Sequence, residues 1–190
     1  MLISADSKIF KFEGYDSVAV TWFGEYHPYR NGQNPRHNEP HTQAILRLKD
    51  QHLGMDDYFR RPISNHVRML VDKYSSADVM IVPSHHPSTP NLKFMNLVKR
   101  SIARIPRAYS RVDDFQRFEP APKLAHPRNA QHRHPRTLID KCEICGCRNT
   151  NTVIVFDDVV ASGSSMVGAN VLLREHGYEN VLCVALGRCF

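Results

Sequence analysis

The segment VIVFDDVVASGSS, residues 153–165, constrains the fold more than any other part of the chain. Its apolar start, residues 153–156, is typical of a strand that is buried on both faces of a sheet. Two acids follow, and the small residues 161–165 then lead into a pattern that predicts a helix over 164–176, ended by Gly177. A strand, a short turn and a helix are the repeating unit of a parallel α/β sheet.

The same order of elements occurs earlier in the chain. Residues 78–82, DVMIV, predict a second buried strand, and a proline-rich loop follows it. Asn91 is a predicted N-cap, and apolar residues at helical spacing predict a helix over 92–105. The same spacing predicts a helix over 62–74, and an apolar run predicts a strand over 180–186. This alternation predicts an α/β fold with a parallel sheet flanked by helices.

The turn after residue 156 has the composition of an anion-binding site. Small residues at the start of a helix leave backbone N–H groups accessible at the positive end of the helix dipole, where phosphate binds. Asp157 and Asp158 stand at the predicted carboxyl edge of the sheet, where open α/β folds bind ligands. Carboxylates at that edge can accept hydrogen bonds from sugar hydroxyl groups or hold Mg²⁺. The pattern therefore predicts a pocket for a phosphorylated sugar.

These residues resemble the motif with which type I phosphoribosyltransferases bind phosphoribosyl pyrophosphate (PRPP). Asp157 and Asp158 match the acids that bind the ribose hydroxyl groups. The match to the 5′-phosphate loop consists of Ala161, Ser162, Gly163, Ser164 and Ser165. Ala161 stands where the family often has threonine, so one hydroxyl donor is missing. The resemblance implies a type I phosphoribosyltransferase-like fold, and Mg²⁺ held by Asp157 and Asp158 together with the ribose of PRPP.

The proline-rich loop after residue 82 stands where this family holds pyrophosphate. The resemblance implies that Ser84, His85 and His86 offer donors to the polyanion. The alternative is a proline-rich surface turn in which the histidines have no role in binding.

Residues 106–136 stand where the family has a mobile loop that closes over PRPP. This stretch has almost no apolar periodicity, which is typical of a functional lid or an insert without regular structure. Arginine and lysine neutralise developing phosphate charge. The candidate contacts to the leaving pyrophosphate are Lys123, Arg128, Arg133 and Arg136. For each of them, a solvated loop charge is the alternative.

The first sixty residues match no part of the family. Alternating apolar residues predict short strands over 8–12 and 17–23, and a polar segment rich in proline predicts a long loop over 26–41. The family has a variable hood that recognises the base, so residues 1–60 are predicted to form this N-terminal subdomain. Residues 61–190 are then the PRPP-binding α/β core.

The implied reaction transfers 5-phosphoribose from PRPP to a nitrogenous base or a related acceptor and releases pyrophosphate. This would make the chain a pentosyltransferase of nucleotide metabolism. The layout of its segments is closest to ComF-type proteins, a branch associated with DNA uptake. That likeness implies an alternative, a regulatory protein that binds PRPP or a nucleotide without turnover. The acceptor, homodimer formation and nucleic-acid binding stay open.

The cysteines Cys142, Cys145 and Cys147 have a spacing that resembles a set of metal ligands. No second such pair follows, so a zinc site would need all three and a histidine, for example His132 or His134, from the adjacent loop. We favour the alternative of three unligated thiols. This cysteine pattern is not typical of an extracellular disulfide framework, so we expect a reducing cytoplasm.

The net charge of +6 suits an anionic partner such as a polyphosphate. Apolar runs in the chain are all much shorter than the roughly 20 residues that a membrane-spanning helix needs. The first residues, MLISADSKIF, lack the basic and apolar pattern of a secretory signal. Membrane and secreted classes are therefore set aside, and no membrane partner is expected.

Overall fold

Two hydrophobic clusters cover the two faces of a central sheet in the computed structural model, which describes residues 6–50, 57–121 and 134–189. On one face lie the helices α1 (Pro40–Lys49), α2 (Arg60–Tyr74) and α3 (Leu92–Ile102). On the other face lie α4 (Arg136–Ile139) and α5 (Ser164–Glu175). In these described ranges, none of the helices combines the length and the apolar character that crossing a membrane requires.

The strands are β1 (Asp6–Phe10), β2 (Val18–Trp22), β3 (Glu25–Tyr26), β4 (Ala77–Ile81), β5 (Ala108–Ser110), β6 (Phe115–Arg117), β7 (Cys142–Ile144), β8 (Thr152–Val160) and β9 (Asn180–Cys189). The main sheet has the strand order β1-β2-β9-β8-β4-β5, and only the pairing of β1 with β2 is antiparallel along this path. The predicted α/β class with a mostly parallel sheet is thus confirmed. A short strand, β3, also pairs with β9, and β6 and β7 form a separate antiparallel pair.

The central strands are apolar without alternation because both of their faces are covered. In β8, Val153 and Val155 belong to the cluster under α5, whereas Ile154 and Phe156 belong to the cluster under α2 and α3. Every residue of β4 is buried. This is the pattern expected of parallel strands between two helical layers.

The structure differs from the sequence predictions in several segments. Strand β9 continues to Cys189 instead of ending at residue 186, α3 ends at Ile102 instead of 105, and β1 spans Asp6–Phe10 instead of 8–12. Strand β8 continues to Val160, although its apolar run ends at residue 156. The stretch 106–136 contains β5, β6 and the start of α4, so the expectation of no regular structure there is wrong for these residues. The predicted loop over 26–41 is broken by two short 3-10 turns and by α1, which begins at Pro40.

The first sixty residues contribute directly to the main sheet. Strand β2 pairs with β9 in parallel, with Val20 opposite Cys183, and β1 forms the outer edge beyond it. The hydrophobic cluster between the sheet and the helices α2 and α3 also includes Ala44, Ile45 and Leu48 of α1. The division into a hood of residues 1–60 and a core of 61–190 stays a prediction.

A buried carboxylate joins three strands at the amino edge of the sheet. Asp78 at the start of β4 is fully buried, and the backbone N–H of Asn149 donates to it at 2.9 Å. The Asn149 side-chain amide and the Tyr178 hydroxyl also donate, at 3.1 and 2.7 Å. Asn149 precedes β8 and Tyr178 precedes β9, so one side chain fixes the starts of three neighbouring strands.

We expect Tyr178→Phe to lower the free energy of unfolding by about 1.5–3 kcal/mol, the usual contribution of a hydrogen bond to a charged group. The change removes one donor from Asp78, which has no access to water to replace it. Urea denaturation measures the loss. Tyr109→Phe is the matched control, because Tyr109 lies 42% exposed on the edge strand β5. Equal stability of the two variants would contradict the role of this hydrogen bond.

Candidate functional site

The chain connections that leave β4 and β8, two neighbouring strands, lead toward opposite edges of the sheet. From β4 the chain passes through α3 to β5 on one side, whereas from β8 it passes through α5 to β9 on the other. Open α/β sheets bind ligands in the crevice at the carboxyl ends of strands where the order reverses. The segments at this point are residues 82–91, which follow β4, and residues 157–165, which comprise the end of β8 and the turn after it.

Asp157 and Asp158 lie within β8, at the point where this strand loses one neighbour. The last residue of β4, Ile81, pairs with Phe156, and the N–H of Val82 donates to the Phe156 carbonyl at 2.8 Å. Beyond that point β8 pairs only with β9, with Asp157 opposite Ala185. The acid pair therefore lies beside the crevice that forms where β4 ends and β8 continues.

The two carboxyl groups differ in their surroundings. The Asp157 Oδ1 accepts a hydrogen bond from the backbone N–H of Asp158 at 2.8 Å. Burial, and then the negative charge of Asp158, raise the pKa of Asp157 well above its ordinary value. The pair consequently holds less negative charge near neutral pH than two independent carboxylates would.

Lys49, a residue that the sequence analysis did not select, forms an ion pair with Asp158. Its Nζ lies 3.3 Å from Asp158 Oδ2 and 5.4 Å from the centre of the Tyr26 ring. Burial opposes the charged form of Lys49, but Asp158, Tyr26 and Asp157 together outweigh burial, and the pKa of Lys49 is raised. A lysine at the end of an amphipathic helix carries no sequence signal for such a role. Only the fold shows that α1 reaches the acid pair.

The small residues 161–165 form a tight turn that begins α5. Gly163 is the N-cap of this helix and has a φ of +81°, in the left-handed region that favours glycine. The hydroxyl groups of Ser162 and Ser164 lie 3.0 Å apart, and Ala161 is exposed. Gly163 has no side chain to cap the helix, although the N–H of Ser164 donates to the Ser162 Oγ at 3.4 Å. The other N–H groups of this first turn are backbone donors of the kind that bind phosphate.

The loop after β4 is organised by its own side chains. The Ser84 hydroxyl lies within hydrogen-bond distance of the carbonyls of His86 and Thr89, at 2.9 and 2.8 Å. The N–H of Ser88 donates to His86 Nδ1 at 3.2 Å. The Ser84 hydroxyl, a predicted pyrophosphate donor, is thus engaged within the loop. A pocket of about 220 Å³ lies beside it, lined by Ser84, His86, Asn91, Gln116 and Arg117 among others.

The candidate cations of the 106–136 stretch fall into two groups. Lys123, Arg128 and Arg133 lie outside the described residues, so their role stays a prediction. Arg136 is the first residue of α4 and is exposed.

The clustered cysteines have three different environments. Cys142 is buried in β7, and burial raises its pKa to about 11, so its thiol stays neutral. Cys145 is half-buried and Cys147 is exposed, with their carbonyls held by the guanidinium of Arg111. Within the described ranges, no three or more histidine, cysteine, aspartate or glutamate side chains are grouped to hold a metal ion. His132, a candidate fourth ligand, lies outside those ranges.

Three predicted parts of a site therefore meet at one edge of the sheet: the acid pair, the small-residue turn and the loop after β4. A scan against protein-family models and a search of curated proteins both find no match to this chain.

We expect Gly163→Ala to lower the free energy of unfolding by about 2–4 kcal/mol, through left-handed backbone strain and overpacking. A Cβ at this position would overlap the ring of Phe10, which is buried in β1. Gly14→Ala is the matched control, because Gly14 has a similar φ of +79° and nothing lies near its Cβ position. The backbone cost alone predicts a loss of about 1–2 kcal/mol for the control. Equal losses in urea denaturation would exclude a contribution from Phe10.

Lys49→Met is expected to raise the pKa of Asp157 further, because the positive charge of Lys49 lowers that pKa. Titration of the aspartate carboxyl carbons by NMR measures the shift. Lys73→Met, a change on the exposed face of α2, is the control and should leave this titration unaltered. An unchanged Asp157 titration in Lys49→Met would show that the ion pair with Asp158 does not form in solution.

Proposed function

We propose that this chain is a type I phosphoribosyltransferase, which transfers 5-phosphoribose from PRPP to a nitrogenous acceptor and releases pyrophosphate. One observation carries the proposal. The acid pair 157–158 begins where β4 ends, and the turn that starts α5 follows it by two residues, at the reversal point of the sheet. This arrangement would suit a ligand whose phosphate group binds at the turn and whose sugar hydroxyl groups bind at the adjacent acid pair.

The turn 161–165 is the proposed site for the 5′-phosphate. The N–H groups in the first turn of a helix have no partners within that helix, and the helix dipole favours an anion there. α5 is twelve residues long and starts at Ser164. The hydroxyl groups of Ser162 and Ser164 form a hydrogen bond with each other, which leaves one hydroxyl donor beside the backbone. Gly163 allows the backbone to take the conformation that this turn needs.

Asp157 and Asp158 are the proposed partners of the ribose hydroxyl groups. Carboxylate oxygens are also the ligands that Mg²⁺ prefers, so the donor set at this edge fits the metal that the resemblance implies. When bound, Mg²⁺ would neutralise charge on the pyrophosphate. The ion pair with Lys49 holds the Asp158 carboxylate in place and would also bring a positive charge close to an anionic ligand.

The pocket beside the loop 82–91 is the proposed place of the leaving pyrophosphate. His86 and Gln116 line it and carry side-chain N–H donors, whereas the Ser84 hydroxyl is used within the loop. Displacement at the first ribose carbon passes through a transition state with positive charge on the sugar. The contribution of these residues is therefore to position the ligand and to stabilise charge.

A second candidate function is a protein that binds PRPP or a nucleotide as a signal without turnover. The Lys49–Asp158 ion pair favours it, because one acid of the pair already has an internal cationic partner. The two functions differ in pyrophosphate release and share the phosphate turn. Titration calorimetry with PRPP, with and without Mg²⁺, tests the shared site. Pyrophosphate release with a panel of bases then separates the two functions.

Asp158→Asn is expected to weaken PRPP binding, and any turnover, at least tenfold, because the amide loses the charge that accepts hydrogen bonds from the ribose hydroxyl groups and Mg²⁺. Titration calorimetry measures the change in Kd. Asp72→Asn, on the exposed face of α2, removes the same charge far from the site and should bind as the wild type does. Wild-type affinity in Asp158→Asn, or no PRPP binding by the wild type, would overturn the assignment.

A further inference from the structure

The side chain of Arg117 connects two parts of the chain that are far apart in sequence. Arg117 is the last residue of β6, opposite Cys142 in β7, and its Nε donates to the carbonyl of Ser84 at 2.7 Å. Ser84 belongs to the loop that follows β4. We refer to residues 115–121 with 142–144 as the antiparallel arm, and to residues 82–91 as the β4 loop.

A second hydrogen bond joins the same two segments. The backbone N–H of Ala121 donates to the carbonyl of His85 at 2.8 Å. The antiparallel arm thus holds two successive carbonyls of the β4 loop, one through a side chain and one through the main chain. Inside the loop, the Ser84 hydroxyl contacts the His86 and Thr89 carbonyls, so a fixed Ser84 also fixes the residues that follow it.

The guanidinium of Arg117 has donor capacity that the described part of the chain does not use. Its Nη1 is buried and has no hydrogen-bond partner among the described residues, and no described carboxylate forms an ion pair with it. Burial lowers the pKa of Arg117. A buried cationic donor without a partner is costly, so such a group is kept where it serves a purpose. Arg117 also lines the pocket of about 220 Å³ beside the loop.

We propose that Arg117 is a positioning residue of the candidate site: it ties the antiparallel arm to the β4 loop and sets the loop conformation that binds an anion. The anion is a pyrophosphate group, and this part of the proposal rests on the proposed function. Affinity for the anion then depends on the arm, although the arm supplies few of the pocket residues. A direct contact between Arg117 and the anion, without any effect on the loop, is the competing explanation.

Two variants separate these explanations. Arg117→Met removes the donor to Ser84, and Ala121→Pro removes the donor to His85 while leaving Arg117 intact. A positioning role predicts weaker binding of inorganic pyrophosphate and of PRPP in both variants, by about tenfold for Arg117→Met. Arg117→Lys keeps one donor and should recover part of the loss. Arg68→Met, at an exposed position on α2, is the matched control and should bind as the wild type does.

Hydrogen–deuterium exchange of the unliganded protein gives a readout that does not depend on the ligand. The amides of Ser88 and Thr89 donate to His86 inside the β4 loop, and both variants should speed their exchange. Faster exchange together with weaker pyrophosphate binding in both variants supports the proposal. Faster exchange in both variants, together with a wild type that binds neither pyrophosphate nor PRPP, would overturn the proposed function and leave the attachment of the loop in place.

Two results would overturn the positioning role itself. One is unchanged loop exchange in both variants while the wild type binds pyrophosphate. The other is weaker binding in Arg117→Met with wild-type binding in Ala121→Pro, which would make Arg117 a direct anion contact. If Arg117→Met does not fold, Arg117→Lys and Ala121→Pro decide between the same outcomes by the same two measurements.

Discussion

The carboxylate of Asp78 is the interaction on which the arrangement of this sheet depends. It lies at the amino edge, is closed to water, and receives three hydrogen bonds from residues that precede β8 and β9. Because registers in a sheet propagate along the strands, fixing three starts also fixes where the same strands end. The crevice at the carboxyl edge is therefore shaped by a polar network at the opposite end of β4.

Hydrogen-bond donors are paired at the amino edge of the sheet, whereas some at the carboxyl edge have no described partner. At the amino edge, the donors around Asp78 are paired, as buried polar groups usually are. At the carboxyl edge, the N-cap Gly163 supplies no side-chain acceptor to α5, and the Nη1 of Arg117 has no described partner. Unused donors concentrated on one edge are what an anionic ligand requires.

Local sequence patterns predicted the parts of the fold that are stabilised locally, and long-range pairing decided the rest. The apolar spacing in α2 and the run 153–156 contain the information for a helix and a buried strand. The extension of β8 through Asp157 was missed, because polarity ended the predicted strand while pairing with Ala185 continues it. The pairing of β6 with β7 was also missed, since it joins residues that are more than twenty positions apart. Lys49 reaches Asp158 only through the packing of α1.

The contact between Phe10 and Gly163 limits how this chain can vary. The ring of Phe10 occupies the volume that any side chain at position 163 would need, and the backbone there also excludes most residues. A larger residue at 163 would be tolerated only together with a smaller one at position 10. The two positions, 153 residues apart in sequence, are therefore expected to change together or not at all among homologous chains. The edge strand β1 thus constrains, through Phe10, which residue can stand at position 163 in the turn 161–165.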